Sequence, residues 1–398
     1  MVIGSEPVLL TDDQVQRYIV DGFLVLDCDV ARDIHDHITQ ELRHCLQQES
    51  PHPGDNVLPR IPALNNILEC PVVVGAMTSL LGPDYAWAPH RFPHNSEPVS
   101  RTDRESAFDP FDNAPAMGPG SVSGAGWHQD GHSRAGRSRW HTFRAVNMFY
   151  FPHDTPLEMG PTRLLAGTHL YATLRGVKED QVVWQARSAG TIVIADFDVG
   201  HAGSPNRSDL SRYMVKFVGL RTRNPTEPAW DHGNDVWRTP ERCTATNDLP
   251  MAWQSLWNWM RAVPRSQDIV VPNDHLVPAL LTDMDSDVPE EHLNAMYTLA
   301  ALGARVIPAL VDQLLTTTGQ DRHLSPANHD PAYVGMSEDH NDRHFSTRQL
   351  VPEDAAVVLG VIGGDAVPAL LPLLDHEDPW IRINAVYALG EIGTPAMM

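Results

Sequence analysis

Apolar and polar positions alternate differently in three stretches of the chain. Over residues 11–81 apolar side chains recur every three to four positions, which is the spacing of amphipathic helices. Thr11 stands before Asp12, Asp13 and an apolar-periodic run, and Gly22 follows it, so the pattern predicts a capped helix feeding a strand at 23–26. Two more helices are predicted over about 30–48 and 70–81.

Between 144 and 220 the texture changes to short apolar runs bounded by Gly, Pro and Asp. RAVNMFYF at 144–151, GTIVIAD at 190–196 and SRYMVKFVGL at 211–220 predict strands with no helices between them, hence an antiparallel sandwich or barrel. The intervening residues 93–126 are polar, rich in Pro, Gly and Ser, and follow neither period. A loop that long is a candidate lid over a pocket.

Beyond residue 269 helical spacing returns with a repeat. VPAL at 277–280 recurs as IPAL at 307–310 and VPAL at 367–370, and LGVIG at 359–363 recurs as LGEIG at 389–393. A period near 30 with Pro opening each second helix predicts stacked helix pairs and resembles HEAT-like repeats. The degenerate unit at 319–349 reads as an insertion, and the last pair reads as incomplete at Met398. The expected organisation is a β-rich domain over 1–225, a connector over 226–268 carrying Trp230, Trp237, Trp253, Trp257 and Trp259, and repeats over 269–398.

Composition narrows the function. No run of 18 apolar residues occurs, and the start MVIGSEPVLLTDDQ lacks the marks of a signal peptide, so no membrane span and a cytoplasmic location are expected. With 29 Lys+Arg against 51 Asp+Glu the net charge is -22, and residues 226–398 hold 9 basic against 25 acidic side chains. That imbalance argues against nucleic acid or an anionic lipid surface as partner. Cys28, Cys45, Cys70 and Cys243 show no CxxC spacing and read as ordinary reduced cysteines. The 20 histidines direct attention to metal ligation.

An H-x-D pattern places two ligands on one face of a strand, because residues i and i+2 point the same way. It occurs at His128-Gln129-Asp130, His340-Asn341-Asp342 and His376-Glu377-Asp378, against about two matches expected by chance. Only the first lies in a β-rich setting with a third candidate ligand, His201. Two imidazoles and one carboxylate leave three positions open, as iron(II) needs for a chelating cosubstrate and dioxygen. Zinc would leave one, and a turn cap at His201 with a surface His128 fits the spacing equally well. Arg212, on the next predicted strand, could clamp a carboxylate with its planar fork, which suits a keto acid with a distal carboxylate such as 2-oxoglutarate. Strand parity places Arg212, Met214 and Lys216 on one face and leaves Lys216 without an assigned partner. Arg134, Arg137, Arg139 and Arg144 form either a feature favouring an anionic small-molecule substrate or a solvated loop.

The segments LTDDQVQRYIVDGFLVL, GWHQDGH, NMFYFPHDTPLEMGPTRLLAGTHL and GHAGSPNRSDLSRYMVKF, in order over about 9–222, resemble the phytanoyl-CoA dioxygenase family of iron(II)/2-oxoglutarate oxygenases. The resemblance implies an α+β fold: a double-stranded β-helix (jelly roll, cupin-like) with N-terminal helices, followed here by an all-α HEAT-like solenoid. It implies His128, Asp130 and His201 as iron ligands, Arg212 gripping 2-oxoglutarate, and consumption of O2 with release of succinate and CO2. Retention of Asp130 favours hydroxylation of an unactivated C–H bond over halogenation. Gly160-Pro161-Thr162 and Gly167-Thr168 match family turns, whereas Gly203 stands where some relatives carry a hydroxyl, leaving Ser204 as the neighbouring candidate. The alternative is an interaction protein whose acidic repeats bind a protein partner or mediate self-association while the β-domain is silent.

Overall fold

The computed structural model describes residues 6–48, 53–112, 126–130, 139–172, 174, 177–263, 276–318 and 352–396. Among the described residues there are eight strands: β1 (Phe23–Asp27), β2 (Ala86–Ser96), β3 (Ala145–Phe151), β4 (Arg163–Leu165), β5 (Val182–Val183), β6 (Thr191–Asp196), β7 (His201–Ala202) and β8 (Arg212–Leu220). They form two antiparallel sheets, ordered β1-β6-β3-β8-β2 and β5-β4-β7. The helices of seven residues or more are α1 (Asp12–Asp21), α2 (Arg32–Gln48), α3 (Pro71–Leu81), α4 (Pro250–Met260), α5 (Val277–Asp283), α6 (Pro289–Leu302), α7 (Ile307–Thr317), α8 (Asp354–Ile362) and α9 (Pro379–Ala396).

Local chemistry accounts for the start of the fold. Thr11 and Gln14 form a reciprocal capping box on α1, and Gly22, at φ 80°, ends the helix in the left-handed region. Any side chain there would also strike the His169 ring, since an added Cβ would lie 2.5 Å from its Nδ1.

The large sheet separates two cores by strict alternation. Val146, Met148, Tyr150, Ile192, Ile194, Val215 and Phe217 join the cluster under the helices. Their neighbours Phe149, Phe151, Val193, Ala195 and Met214 face the opposite way, where they meet Leu164 and Val183 of the small sheet. The two sheets therefore enclose an interior, as in a double-stranded β-helix. Burying each such side chain contributes about 1.5–3 kcal/mol, so a one-residue slip of β8 would exchange the two faces entirely.

The predicted loop at 93–126 differs from the structure at its start. β2 runs through Ser96, and Arg101–Glu105 is a short helix. Pro89 and Pro93 hide the strand pattern, and they are tolerated because β2 is a sheet edge with a register irregularity between Trp87 and Arg91. Residues 113–125 of the candidate lid at 93–126, and the insertion at 319–349, lie outside the described residues.

In the C-terminal region Pro278, Pro308 and Pro368 open helices, as the repeat predicts. The stretch Pro289–Thr317 is long and apolar enough by composition to cross a membrane, which the absence of an unbroken apolar run did not anticipate. It consists of α6 and α7 around Gly303, and Leu293, Met296, Leu299, Leu310 and Leu314 are buried within the protein. The helical region is not detached from the β-domain. The Tyr297 ring stacks on Trp140 at 4.0 Å, and Trp253 and Trp257 of α4 belong to the same apolar cluster as Tyr18 and Met296.

Candidate metal centre

A single β-bridge brings the distant ligands together. His128 N–H donates to His201 O at 3.1 Å and His201 N–H donates to His128 O at 2.9 Å. The two rings lie 4.3 Å apart between centroids. Each is steered by a carbonyl two residues back, His128 Nδ1 to Gly126 O at 2.8 Å and His201 Nδ1 to Val199 O at 2.9 Å. With Nδ1–H donating, both Nε2 lone pairs are free for a metal, the usual outer-sphere device for fixing a ligand's tautomer.

Those nitrogens face Asp130. His201 Nε2 is 3.4 Å from Asp130 Oδ2 and His128 Nε2 is 3.9 Å from Oδ1, and one ligand atom from each of the three residues lies within 4.8 Å of the others. Among the described residues no other group of three His, Cys, Asp or Glu side chains does so. The competing motif at His376 is a turn, in which His376 Nδ1 accepts the Asp378 N–H at 3.1 Å. His340 lies outside the described residues. Gln129, between the ligands, points the opposite way and donates to the carbonyls of Thr168, Tyr171 and Asp198 at 3.2, 3.0 and 2.9 Å.

The electrostatics suit a cation. Burial would raise the Asp130 carboxyl, but His201, Lys216 and His128 beside it hold it well below the ordinary carboxylate range. Burial, reinforced by His128, lowers His201 to about 3, and burial also lowers His128. Both imidazoles are therefore neutral at neutral pH, the form in which an imidazole can bind a metal. Lys216 finds its partner here: its ammonium pairs with Asp130 Oδ2, which also accepts Asn147 Nδ2–H at 2.9 Å.

Arg212 is on the same inner face, two positions of that face before Lys216. It is 2% exposed, and its Nε and Nη1 have no partner among the described residues. Burial lowers the guanidinium to about 10, so it stays charged, and an unpaired buried charge calls for an anion. Ser204 does not supply the hydroxyl missing at Gly203, because its Oγ donates to Pro161 O at 2.8 Å. Of the arginine cluster, Arg139 pairs with Asp198 and donates to His169 O at 3.2 Å, while Arg144 is exposed. Arg134 and Arg137 lie outside the described residues.

Two inner-face residues escape sequence reasoning. Asn147 sits on a predicted strand, but only the fold places it against Asp130. His94 pairs in register with Met214 between Arg212 and Lys216, and its buried Nε2 has no partner among the described residues. Burial, then Lys216 and Arg212, lowers its imidazole well below the ordinary value. The only available signal was the strand-edge character of 86–96, masked by its prolines.

Residues 20–214 match the family model for phytanoyl-CoA dioxygenase, and residues 346–397 match the model for HEAT repeats. No curated protein matches the chain. Among solved structures, EctD from S. alaskensis with 2-oxoglutarate and 5-hydroxyectoine is 14% identical, covering 60% of this chain and 86% of its own at a TM-score of 0.43. The non-heme monooxygenase ThoJ–Ni complex is 19% identical over 61% and 92%, at 0.37. The non-heme alpha ketoglutarate dependent epimerase SnoN from nogalamycin biosynthesis is 16% identical over 58% and 93%, at 0.39. At these TM-scores the likeness carries no argument about this chain's chemistry.

Proposed function

Residues 20–214 are a domain of the phytanoyl-CoA dioxygenase family, and from that premise we propose that this chain is an iron(II)- and 2-oxoglutarate-dependent hydroxylase of a small molecule. The observation carrying the proposal is the convergence of His128, Asp130 and His201 on one point in the β-helix interior. The donor set fits iron: two neutral imidazoles whose Nδ1–H groups are tied to carbonyls, and one carboxylate kept ionised by its neighbours. These three residues hold the metal in this reading. The buried guanidinium of Arg212 receives the distal carboxylate of 2-oxoglutarate through its unpartnered Nε and Nη1.

Bound iron and 2-oxoglutarate supply the oxidising chemistry, consuming dioxygen and releasing succinate and CO2 as a C–H bond is hydroxylated. The chain's own part is to orient and enclose. Asn147 holds Asp130 Oδ2 in place, and Phe149 packs 5.4 Å from the His201 ring, keeping that side of the ligand dry. Lys216 pairs with Asp130 Oδ2 and would share that carboxylate with a bound dication, which makes it a positioning residue for the carboxylate. The HEAT repeat supports a protein-interaction role for the C-terminal region in addition.

The test is iron-dependent succinate release from 2-oxoglutarate under air. The wild-type chain is expected to show it, and Asp130→Ala is expected to lose it together with high-affinity iron binding while keeping the wild-type circular dichroism spectrum. Unchanged succinate release by the variant removes Asp130 from the centre and with it this reading.

A further inference from the structure

Away from the metal centre, two sulfurs meet in the core under the helices. Cys28 follows β1 and is anchored by its N–H to Gly190 O at 2.9 Å. Cys70 is the N-cap of α3, in extended conformation at φ −68° and ψ 145°, with Pro71 behind it. The residues are 42 positions apart, both buried at 7% and 5% exposure, and the Cys28 thiol donates to Cys70 Sγ at 2.7 Å.

The pair is asymmetric. The thiol of Cys28 beside it, then the N–H groups of Val73 and Val72 at the α3 N-terminus, favour the thiolate of Cys70 and draw that thiol down. Cys28 has no such donors, and its contact with Cys70, then burial, pushes its thiol far up. Position assigns the roles: Cys70 stands at the N-terminus of α3, where the helix dipole favours a thiolate nucleophile, and Cys28 lies against it as the thiol that would resolve an oxidised product. With 7% and 5% exposure the two sulfurs are closed to an oxidant the size of glutathione disulfide, so a small oxidant is the one to consider.

We propose that Cys28 and Cys70 form a peroxide-responsive thiol pair that closes to a disulfide linking the end of β1 to the start of α3. The Cys70 thiolate attacks one oxygen of hydrogen peroxide, the O–O bond breaks, and Cys70 becomes a sulfenic acid as the departing hydroxide takes up a proton to give water. The Cys28 sulfur then attacks the Cys70 sulfur, expelling the sulfenic oxygen as a second water once it takes up the Cys28 proton. Two thiols lose two electrons, and one peroxide is reduced to two waters.

The experiment treats the reduced full-length chain with hydrogen peroxide, quenches, denatures, and counts thiols with peptide mapping. The expected result is a fall from four free thiols to two, with one cross-linked pair of peptides containing Cys28 and Cys70, two hydrogens lighter than the reduced pair. Reaction with glutathione disulfide should leave all four thiols free in the folded chain. Cys28→Ser should leave Cys70 as a sulfenic acid trapped by dimedone, and Cys70→Ser should leave its three thiols reduced. Four thiols surviving peroxide, oxidation falling on Cys45 or Cys243, or ready glutathionylation of the pair would each overturn the proposal. The wild-type count and peptide map decide it even if a variant fails to fold.

Discussion

Two carboxyls on opposite sides of the large sheet, Asp130 half-buried and Asp196 buried, have opposite fates. Asp130, facing the β-helix interior, is held ionised by His201, Lys216 and His128 against the cost of burial. Asp196, at the end of β6 on the helical side, is pushed up to about 8 by burial and by Asp198 beside it, so at neutral pH it keeps its proton. The interior also holds Arg212 and Lys216, whereas the helical side is filled mainly by Leu, Ala, Val and aromatic side chains. A fold that needed only stability would have little use for charge inside the β-helix, because an apolar replacement of the same shape is often as stable or more so. Charge inside the β-helix is what the proposed binding of a cation and an anion requires, whereas the helical side is organised around packing.

The comparison breaks most visibly if the helical region is removed. A chain ending at residue 268 would uncover Trp140, which stacks on Tyr297, and the α4 surface that packs on α6. Loss of soluble, cooperatively melting protein is expected, measured by soluble yield and thermal unfolding against full-length Asp130→Ala. A soluble fragment that still binds iron would show the two regions to be independent. The next effect is chemical: Arg212→Lys replaces a planar fork with a point charge. It should raise the 2-oxoglutarate concentration for half-saturation about tenfold, equivalent to ~1.4 kcal/mol, while iron affinity measured by titration stays within about twofold. An equal loss of both would place Arg212 outside cosubstrate binding.

The two sides were unequally legible in the sequence. Helix caps, strand parity and the proline-marked repeat are local signals, so Thr11, Gly22, the β8 alternation and Pro278, Pro308 and Pro368 could be read directly. The candidate triad was legible because His128 and Asp130 share one motif and His201 stood as a third candidate in the same β-rich setting, which a family resemblance then singled out. What could not be read depends on register between distant strands. Lys216 meets Asp130, and His94 stands opposite Met214, only because β2, β3 and β8 pair as they do. The contact of Cys28 with Cys70 was hidden for the same reason, since spacing along the chain says nothing about a β-strand end meeting a helix cap.

Asp196 offers a pH test of the same contrast. Its unfolded carboxyl ionises near 4 while the folded one waits until about 8, so between those values unfolding releases a proton. Stability is then lost as pH rises from about 4 to 8. Asp196→Asn, neutral at every pH, should remove this slope, seen as a larger gain in denaturant midpoint at pH 8 than at pH 5. An equal gain at both would mean that Asp196 is ionised in the folded chain.

The smallest expected effect probes the seam between the regions. The Tyr297 hydroxyl of α6 accepts the His141 N–H at 3.2 Å and lies 2.7 Å from His141 Nδ1. Burial lowers the His141 imidazole well below its ordinary value, so the ring is neutral and Nδ1 can accept the hydroxyl proton while the oxygen accepts the backbone N–H. One hydroxyl thus serves two buried groups. Tyr297→Phe keeps the ring on Trp140 and strands both, which should cost about 1–2 kcal/mol in denaturant unfolding. The segment it loosens leads through Arg139 to Asp198, whose carbonyl accepts from Gln129 between two of the candidate ligands. Iron affinity should therefore fall slightly along with stability. A stability loss with iron affinity unchanged would confine the helical region to packing, and no loss of either would reduce the seam to apolar contact.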